Sequence, residues 1–160
     1  MSWRATTTVP DRIFASLAYL LPLFYVMPFG GFLFELFPPL QALVWVVLPV
    51  TLIYSIPFAD LLVFMLLYLL VVRNNRVSLF IRYNTMQALL MGIVLFIVQL
   101  LVQLVQLLLR IASFDLLIKV LFNFIFIATV IGVVYGVVQS VRGIYAEIPT
   151  LSEATKSQVF

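Results

Sequence analysis

Four stretches of this chain run for more than 20 residues with at most one ionisable side chain each, and that patterning limits what it can fold into. Ile13 to Phe34 has 22 residues and no charge, Leu40 to Val72 has 33 with only Asp60, Thr85 to Leu109 has 25 with none, and Leu116 to Val141 has 26 with only Lys119. A helix rises about 1.5 Å per residue, so roughly 20 apolar residues cross a hydrocarbon core about 30 Å thick. Composition agrees, with 65% of residues hydrophobic and 9% charged, against about a quarter charged in soluble domains. The expected class is all-α: an integral membrane four-helix bundle surrounded by membrane lipids, with an additional interfacial or re-entrant helix.

The extra helix comes from the second stretch. Its 33 residues would make about 50 Å of helix, too long for one straight span, whereas two spans and a turn need more than about 40 residues. Pro49 and Pro57 must break it, which predicts an interfacial or re-entrant helix over 40–52 and a span over 53–72. The other spans are expected over 13–34, 85–109 and 116–141, with a polar N-terminus over 1–12 and a polar tail over 142–160, where Pro149 stops helix. Pro22, Pro28 and Gly30-Gly31 interrupt the first span, so its second half should face protein that satisfies the freed carbonyls. Glu35, before Pro38-Pro39, is expected to anchor at the interface, and Lys119 to extend its ammonium there.

With both termini on one side, that side holds Arg4, Arg12, Arg73, Arg76, Arg82, Arg142 and Lys156, while the other holds Arg110 and Lys119. Seven against two follows the positive-inside rule and puts both ends on the cytoplasmic or stromal face. The polar start lacks a signal cleavage site and is too short for a transit peptide, which favours a bacterial or plastid-encoded source. The chain has no Cys and no His, removing thiol nucleophiles, imidazole bases and the usual zinc and haem ligands. No catalytic residue, metal site or cofactor is expected, nor an enzyme, and a net charge of +3 is a poor match to a nucleic-acid partner.

Four features stand out. Gln99, Gln103 and Gln106 lie within about 60° on one face of the third span, continuous with Gly92, Ala88 and Thr85. These amides either bond to neighbouring helices or line a wet, substrate-facing path. Ala128, Gly132, Gly136 and Ser140 repeat every four residues and form a surface for close helix packing, within the chain or against another protein. Asp60, the one acid within a span, either caps the helix that follows Pro57 or serves a proton or substrate. At the mouth of the third span, Arg82, Asn84, Thr85 and Gln87 gather hydrogen-bonding side chains.

The run Val9-Pro10-Asp11-Arg12-Ile13-Phe14-Ala15-Ser16-Leu17-Ala18-Tyr19-Leu20-Leu21-Pro22-Leu23, then Pro28-Phe29-Gly30, then Tyr83-Asn84-Thr85-Met86-Gln87-Ala88, and finally Gln139-Ser140-Val141-Arg142-Gly143-Ile144-Tyr145-Ala146-Glu147-Ile148-Pro149 resemble, in order and spacing, the twenty-kilodalton subunit family of the Tic protein translocon. Phe24-Tyr25-Val26-Met27 departs from the pattern in having no acidic residue. The resemblance implies a four-helix protein of the chloroplast inner envelope, or of a cyanobacterial plasma or thylakoid membrane, that takes part in preprotein translocation or insertion. It also implies partners: other translocon subunits or further copies of itself, and preprotein substrates. The alternative is a small structural or assembly subunit packed against a larger photosynthetic membrane complex. A bundle of four spans is too narrow to enclose a polypeptide alone.

Single cysteines at Ser2, Ser78, Ser113 and Ser157 have no thiol background here. An impermeant thiol reagent applied to the outer face of oriented vesicles is expected to label position 113 alone. Labelling at 78 from that face would overturn the topology.

Overall fold

The protein is described by a computed structural model over residues 7–109, 115–149 and 151–159. Arg4, Arg110 and the expected turn through Phe114 lie outside the described residues. Helix α1 (Val9–Ala18) starts four residues earlier than the apolar run, because Thr8 and Asp11 form a reciprocal cap. The Asp11 N–H donates to Thr8 Oγ1 (3.4 Å), and the Asp11 carboxylate accepts the Thr8 N–H (2.9 Å) and hydroxyl (2.8 Å). Pro10 sits in the first turn, where no intrahelical donor is needed.

The path continues through α2 (Leu20–Val26), a 3₁₀ turn (Met27–Gly30) and α3 (Gly31–Leu36). The breaks follow the prolines. Each proline ring crowds the carbonyl four residues before it and offers no N–H: Pro22 acts on Ala18, where α1 ends, and Pro28 on Phe24, after which the helix tightens. The composite helix buries one face, with Leu21, Pro22, Leu23, Val26, Phe29, Gly30 and Leu33 all buried, while Pro28, Gly31 and Phe32 are exposed, so the expected enclosure of the second half is met on one side only. In α1, only Ala15 is fully buried.

The 33-residue stretch breaks, but elsewhere than the sequence predicts. A 3₁₀ turn (Pro38–Gln41) leads into α4 (Ala42–Tyr54), which carries Pro49 without ending. The break falls at Ser55 to Phe58, where Pro57 disfavours helical backbone in the residue before it. Phe58 itself is left-handed, with φ of 62°. Helix α5 (Ala59–Leu66) follows and relaxes into a π-helical segment (Leu67–Val72). The two legs meet at 98°, and the second, about 20 Å long, is shorter than a hydrocarbon core. The boundary expected between Leu52 and Ile53 therefore moves to the elbow at residues 55–58.

Helix α6 (Leu79–Leu109) is 31 residues long, about 46 Å. It begins six residues before Thr85 because Ser78 receives its first donors, Oγ from the Ile81 N–H (3.4 Å) and the carbonyl from the Arg82 N–H (3.1 Å). Helix α7 (Asp115–Val141) ends at Gly143, whose φ of 71° closes a Schellman turn: the Ile144 N–H donates to Gln139 O (2.9 Å) and the Gly143 N–H to Ser140 O (3.0 Å). The tail, expected as a polar extension, contains α8 (Leu151–Val159) docked on α6 through Ser152, Thr155 and Val159. Val9–Leu36, Leu79–Leu108 and Leu116–Val141 are each long and apolar enough to cross a membrane, and the bent pair makes a fourth if its legs form one span.

The composite first helix is the centre of the bundle, with α1 and α2 each touching both α6 and α7. Tyr19, Leu23, Val26, Phe29 and Leu33 from it meet Ala88, Met91 and Leu95 of α6, Phe126 and Val133 of α7, and Val47 of α4. The small-residue row of α7 faces this helix over part of its length. Gly136 lies under the Tyr19 ring, which a Cβ would overlap; a Cβ on Gly132 would come 3.3 Å from the end of Met91. Ser140 is buried and Ala128 is exposed.

Gly136→Ala is therefore expected to destabilise the protein by about 1–3 kcal/mol, because an aromatic ring in a packed core cannot retreat. Gly132→Ala should stay within about 1 kcal/mol of the parent, since the methionine tip is flexible and alanine favours helix. Equilibrium unfolding in mixed micelles measures the difference; equal effects would contradict this packing.

Candidate functional site

Residues Tyr83 to Leu89 of α6 are buried without interruption, enclosed by α1, α2, α8 and the π-helical segment. The polar group expected at the mouth of the third span thus lies inside the bundle, several residues into a helix. Asn84 is its hub. Asn84 Oδ1 accepts from Tyr19 Oη (3.0 Å) and Ser140 Oγ (3.1 Å), and its amide donates to Phe80 O (2.9 Å). Tyr19 Oη also lies 3.1 Å from Gln87 Oε1. A phenol carries one proton, so it serves one of the two amides at a time. Gln87 Nε2 is buried with no partner among the described residues. Thr85 is buried on the same segment. Three helices are thereby joined by side chains that lipid could not satisfy.

Arg82 gathers helix ends. Its Nε donates to Val72 O (2.8 Å) and its Nη2 to Val159 O (3.2 Å), the last carbonyls of the π-helical segment and of α8, where the helix dipole favours a cation. Arg12 does the same for α7 through Val141 O (3.4 Å), and Tyr83 Oη donates to Ala146 O (3.1 Å). The start of α1, the 73–78 connection and the C-terminal segment therefore meet at one end of the bundle. Burial there pushes the Tyr145 phenol above its ordinary pKa. Away from that end, Lys119 stands over the Phe32 ring at 5.9 Å, and Glu35 is exposed near the end of α3.

The elbow roofs a half-open cleft between the first helix and α6. Its larger part, about 530 Å³, is lined by Tyr25, Thr51, Asp60, Phe96, Gln99 and Gln103 among others; an adjoining part of about 260 Å³ shares Tyr25, Asp60 and Phe96 and adds Tyr54 and Gly92. Asp60 stands in the first turn of α5, whose N-cap Phe58 makes no side-chain bond. Its Oδ1 accepts from Tyr25 Oη (2.9 Å), and Tyr54 Oη lies 3.4 Å from the same phenol. One tyrosine of the first helix thus holds both legs of the elbow. The glutamine row is split: Gln99 is half-buried and Gln103 exposed at the cleft wall, while Gln106 is exposed and outside it.

Asp60, Gln99 and Gln103, which stand in separate constellations in the sequence, share this cleft. Asn84, Gln87 and Ser140 share the buried knot, whereas Arg82 ties helix ends at one end of the bundle. Tyr19, Tyr25 and Tyr54, which complete both sites, are not singled out by the sequence reading. The signal for them is that a phenol in a lipid-buried run needs a partner for its hydroxyl.

These features define a polytopic α-helical protein with one buried polar knot and one open, largely apolar cleft that carries Asp60, Gln99 and Gln103. The family model described as "Chloroplast import apparatus Tic20-like" matches residues 5–155. The chain is 42% identical to a Tic20 family protein of Synechocystis sp. over 160 residues, covering 99% of each. It is also 37% identical to the chloroplastic protein TIC 20-II of Arabidopsis thaliana over 56% of this chain and 43% of that protein, and 36% identical to TIC 20-v of the same plant over 53% and 41%. The chain thus spans less than half the length of those plant relatives. It belongs to the Tic20 family.

Tyr19→Phe and Ser140→Ala are each expected to cost about 0.6–2 kcal/mol. Both remove a donor to the same Asn84 oxygen, so the double variant should depart from additivity by at least about 0.5 kcal/mol in a mutant cycle. Strict additivity would show that the knot does not act as a unit.

Proposed function

We propose that this chain is a membrane-embedded subunit of a protein translocon and takes part in moving preproteins across or into a membrane. The observation that carries the reading is the family match over residues 5–155. A polypeptide entering lipid brings backbone N–H and C=O groups that hydrocarbon cannot satisfy. Thr51, Gln99 and Gln103, on the walls of the cleft, offer hydroxyl and amide partners to a passing backbone. The buried knot keeps the helices around it in register.

In this reading the membrane is a cyanobacterial plasma or thylakoid membrane or a plastid inner envelope. Both termini and the 73–78 connection face the cytoplasm or stroma, supported by the arginines gathered at that end of the bundle. The cleft is open to the side, so a continuous path needs further copies of this chain or other translocon subunits to close it.

A photo-crosslinker at Gln103 should capture a preprotein stalled in transit several-fold more efficiently than one at Val102, about 100° round the helix. Capture of a fixed neighbouring subunit alone, with translocation unaffected by depletion of this protein, would replace the translocon reading with that of an assembly subunit.

A further inference from the structure

Asp60 stands out because of its depth. It shares the smaller cavity with Gly92, Ile93 and Phe96 of α6, residues that lie about 20–26 Å along a helix of about 46 Å. Membrane-embedded carboxylates at such depth are costly and usually face protein or a polar cavity with a partner. Here the described partner is the neutral phenol of Tyr25. No described Lys or Arg pairs with Asp60, and the ion pair that does form, Lys156 with Glu147 at 3.4 Å, is at the surface. Arg12 and Arg82 are engaged with helix ends at one end of the bundle. Among the described residues, the cleft therefore presents a carboxylate whose hydrogen-bond partner is a neutral phenol and not a cation.

The walls say what could bring the missing charge. Gln99 and Gln103 are four residues apart on α6, about 6 Å along its axis, close to the roughly 6.6 Å at which an extended chain repeats backbone groups on one side. A cavity of about 530 Å³ falls within the range that encloses a small ligand, and a helix about 10 Å across is a poor match to it. A lipid ammonium has no such repeat, and its headgroup belongs at the bilayer surface, far from mid-height.

We infer that the cleft is a mid-membrane binding site for an extended polypeptide segment bearing a Lys or Arg, whose cation Asp60 receives while Gln99 and Gln103 hold the adjoining backbone. The inference rests on the translocon reading and adds selectivity to it: a basic residue, among the costliest passengers in hydrocarbon, has its counter-charge half-way. Tyr25 engages Oδ1 of the carboxylate, which leaves Oδ2 to receive the incoming cation.

The test uses the full chain in phosphatidylcholine nanodiscs, with a photo-crosslinker at Gln103, and two synthetic apolar peptides that differ only in one Lys or norleucine. Capture of the Lys peptide is expected to exceed that of the norleucine peptide about tenfold. Asp60→Asn should abolish the preference without lowering norleucine-peptide capture, Asp60→Glu should keep it, and Tyr25→Phe, which frees the carboxylate, should keep or raise it. If Asp60 only braces the elbow, Tyr25→Phe and Asp60→Asn will instead behave alike, which overturns the inference. Equal capture of the two peptides by the parent overturns the charge selectivity and leaves the translocon reading standing. Capture of neither peptide overturns both. Capture of a photoactivatable phosphatidylethanolamine in an Asp60-dependent way, with no peptide captured, overturns the inference in favour of a lipid site.

Discussion

Pro22 and Pro28 deny Ala18 and Phe24 their α-helical donors, and although the tightened turn gives Phe24 O the Met27 N–H, breaks of this kind are tolerated in lipid where protein surrounds them. The architecture follows from that constraint. The broken helix occupies the centre, flanked by the long unbroken α6 and α7, with their continuous helical ladders to spare. The close approach this requires is met by removing side-chain volume where rings must pass: Gly136 beneath Tyr19, Gly30 beside Phe126 and Gly92 beside Tyr25. Van der Waals packing of this kind, with a few buried hydrogen bonds, replaces the hydrophobic drive that lipid does not provide between helices.

The polar groups of the bundle fall into two sets with different consequences. Around Asn84 the set is closed and buried, and apart from the Asn84 amide's bond to Phe80 O within α6 its hydrogen bonds join elements distant in sequence, Tyr19 to Asn84 and Ser140 to Asn84 among them. Such a set specifies one arrangement of helices, since a shift along α6 would strand several donors at once. Around Asp60 the set is open, sits at mid-height, and is held by a single phenol. The elbow above it contains a left-handed non-glycine residue, Phe58, and a π-helical segment follows; irregular backbone of this kind tends to accompany functional sites. Rigidity and accessibility are thus divided between two places less than one helix length apart.

At one end of the bundle, arginines tie the helices together. The guanidinium groups of Arg12 and Arg82 satisfy the terminal carbonyls of α7, the π-helical segment and α8. Their cationic heads suit the negative end of each helix dipole. Docking of α8 on α6 depends on this junction, because a nine-residue helix is marginal in isolation.

The apolar runs by themselves determined the all-α class, three of the membrane-capable segments and the need for a break before Asp60, because hydrocarbon thickness and helical rise leave little freedom. Residue type and spacing also picked out Gly136, Ser140, Asn84, Gln99 and Asp60 as exceptions within those runs. Helix limits were less legible. Thr8, Ser78 and Pro57 decided where α1, α6 and α5 begin through local hydrogen bonds and sterics that average apolarity does not register. The pairing of exceptions was not legible at all. Only the tertiary structure joined Asp60 to Tyr25 and to the Gln99–Gln103 wall, turned the small row of α7 toward the first helix, and placed Asn84 within reach of Tyr19. A one-dimensional pattern reports which face of a helix is polar; which neighbour that face meets depends on how the broken first helix is clasped, and this is settled by packing among segments more than 50 residues apart.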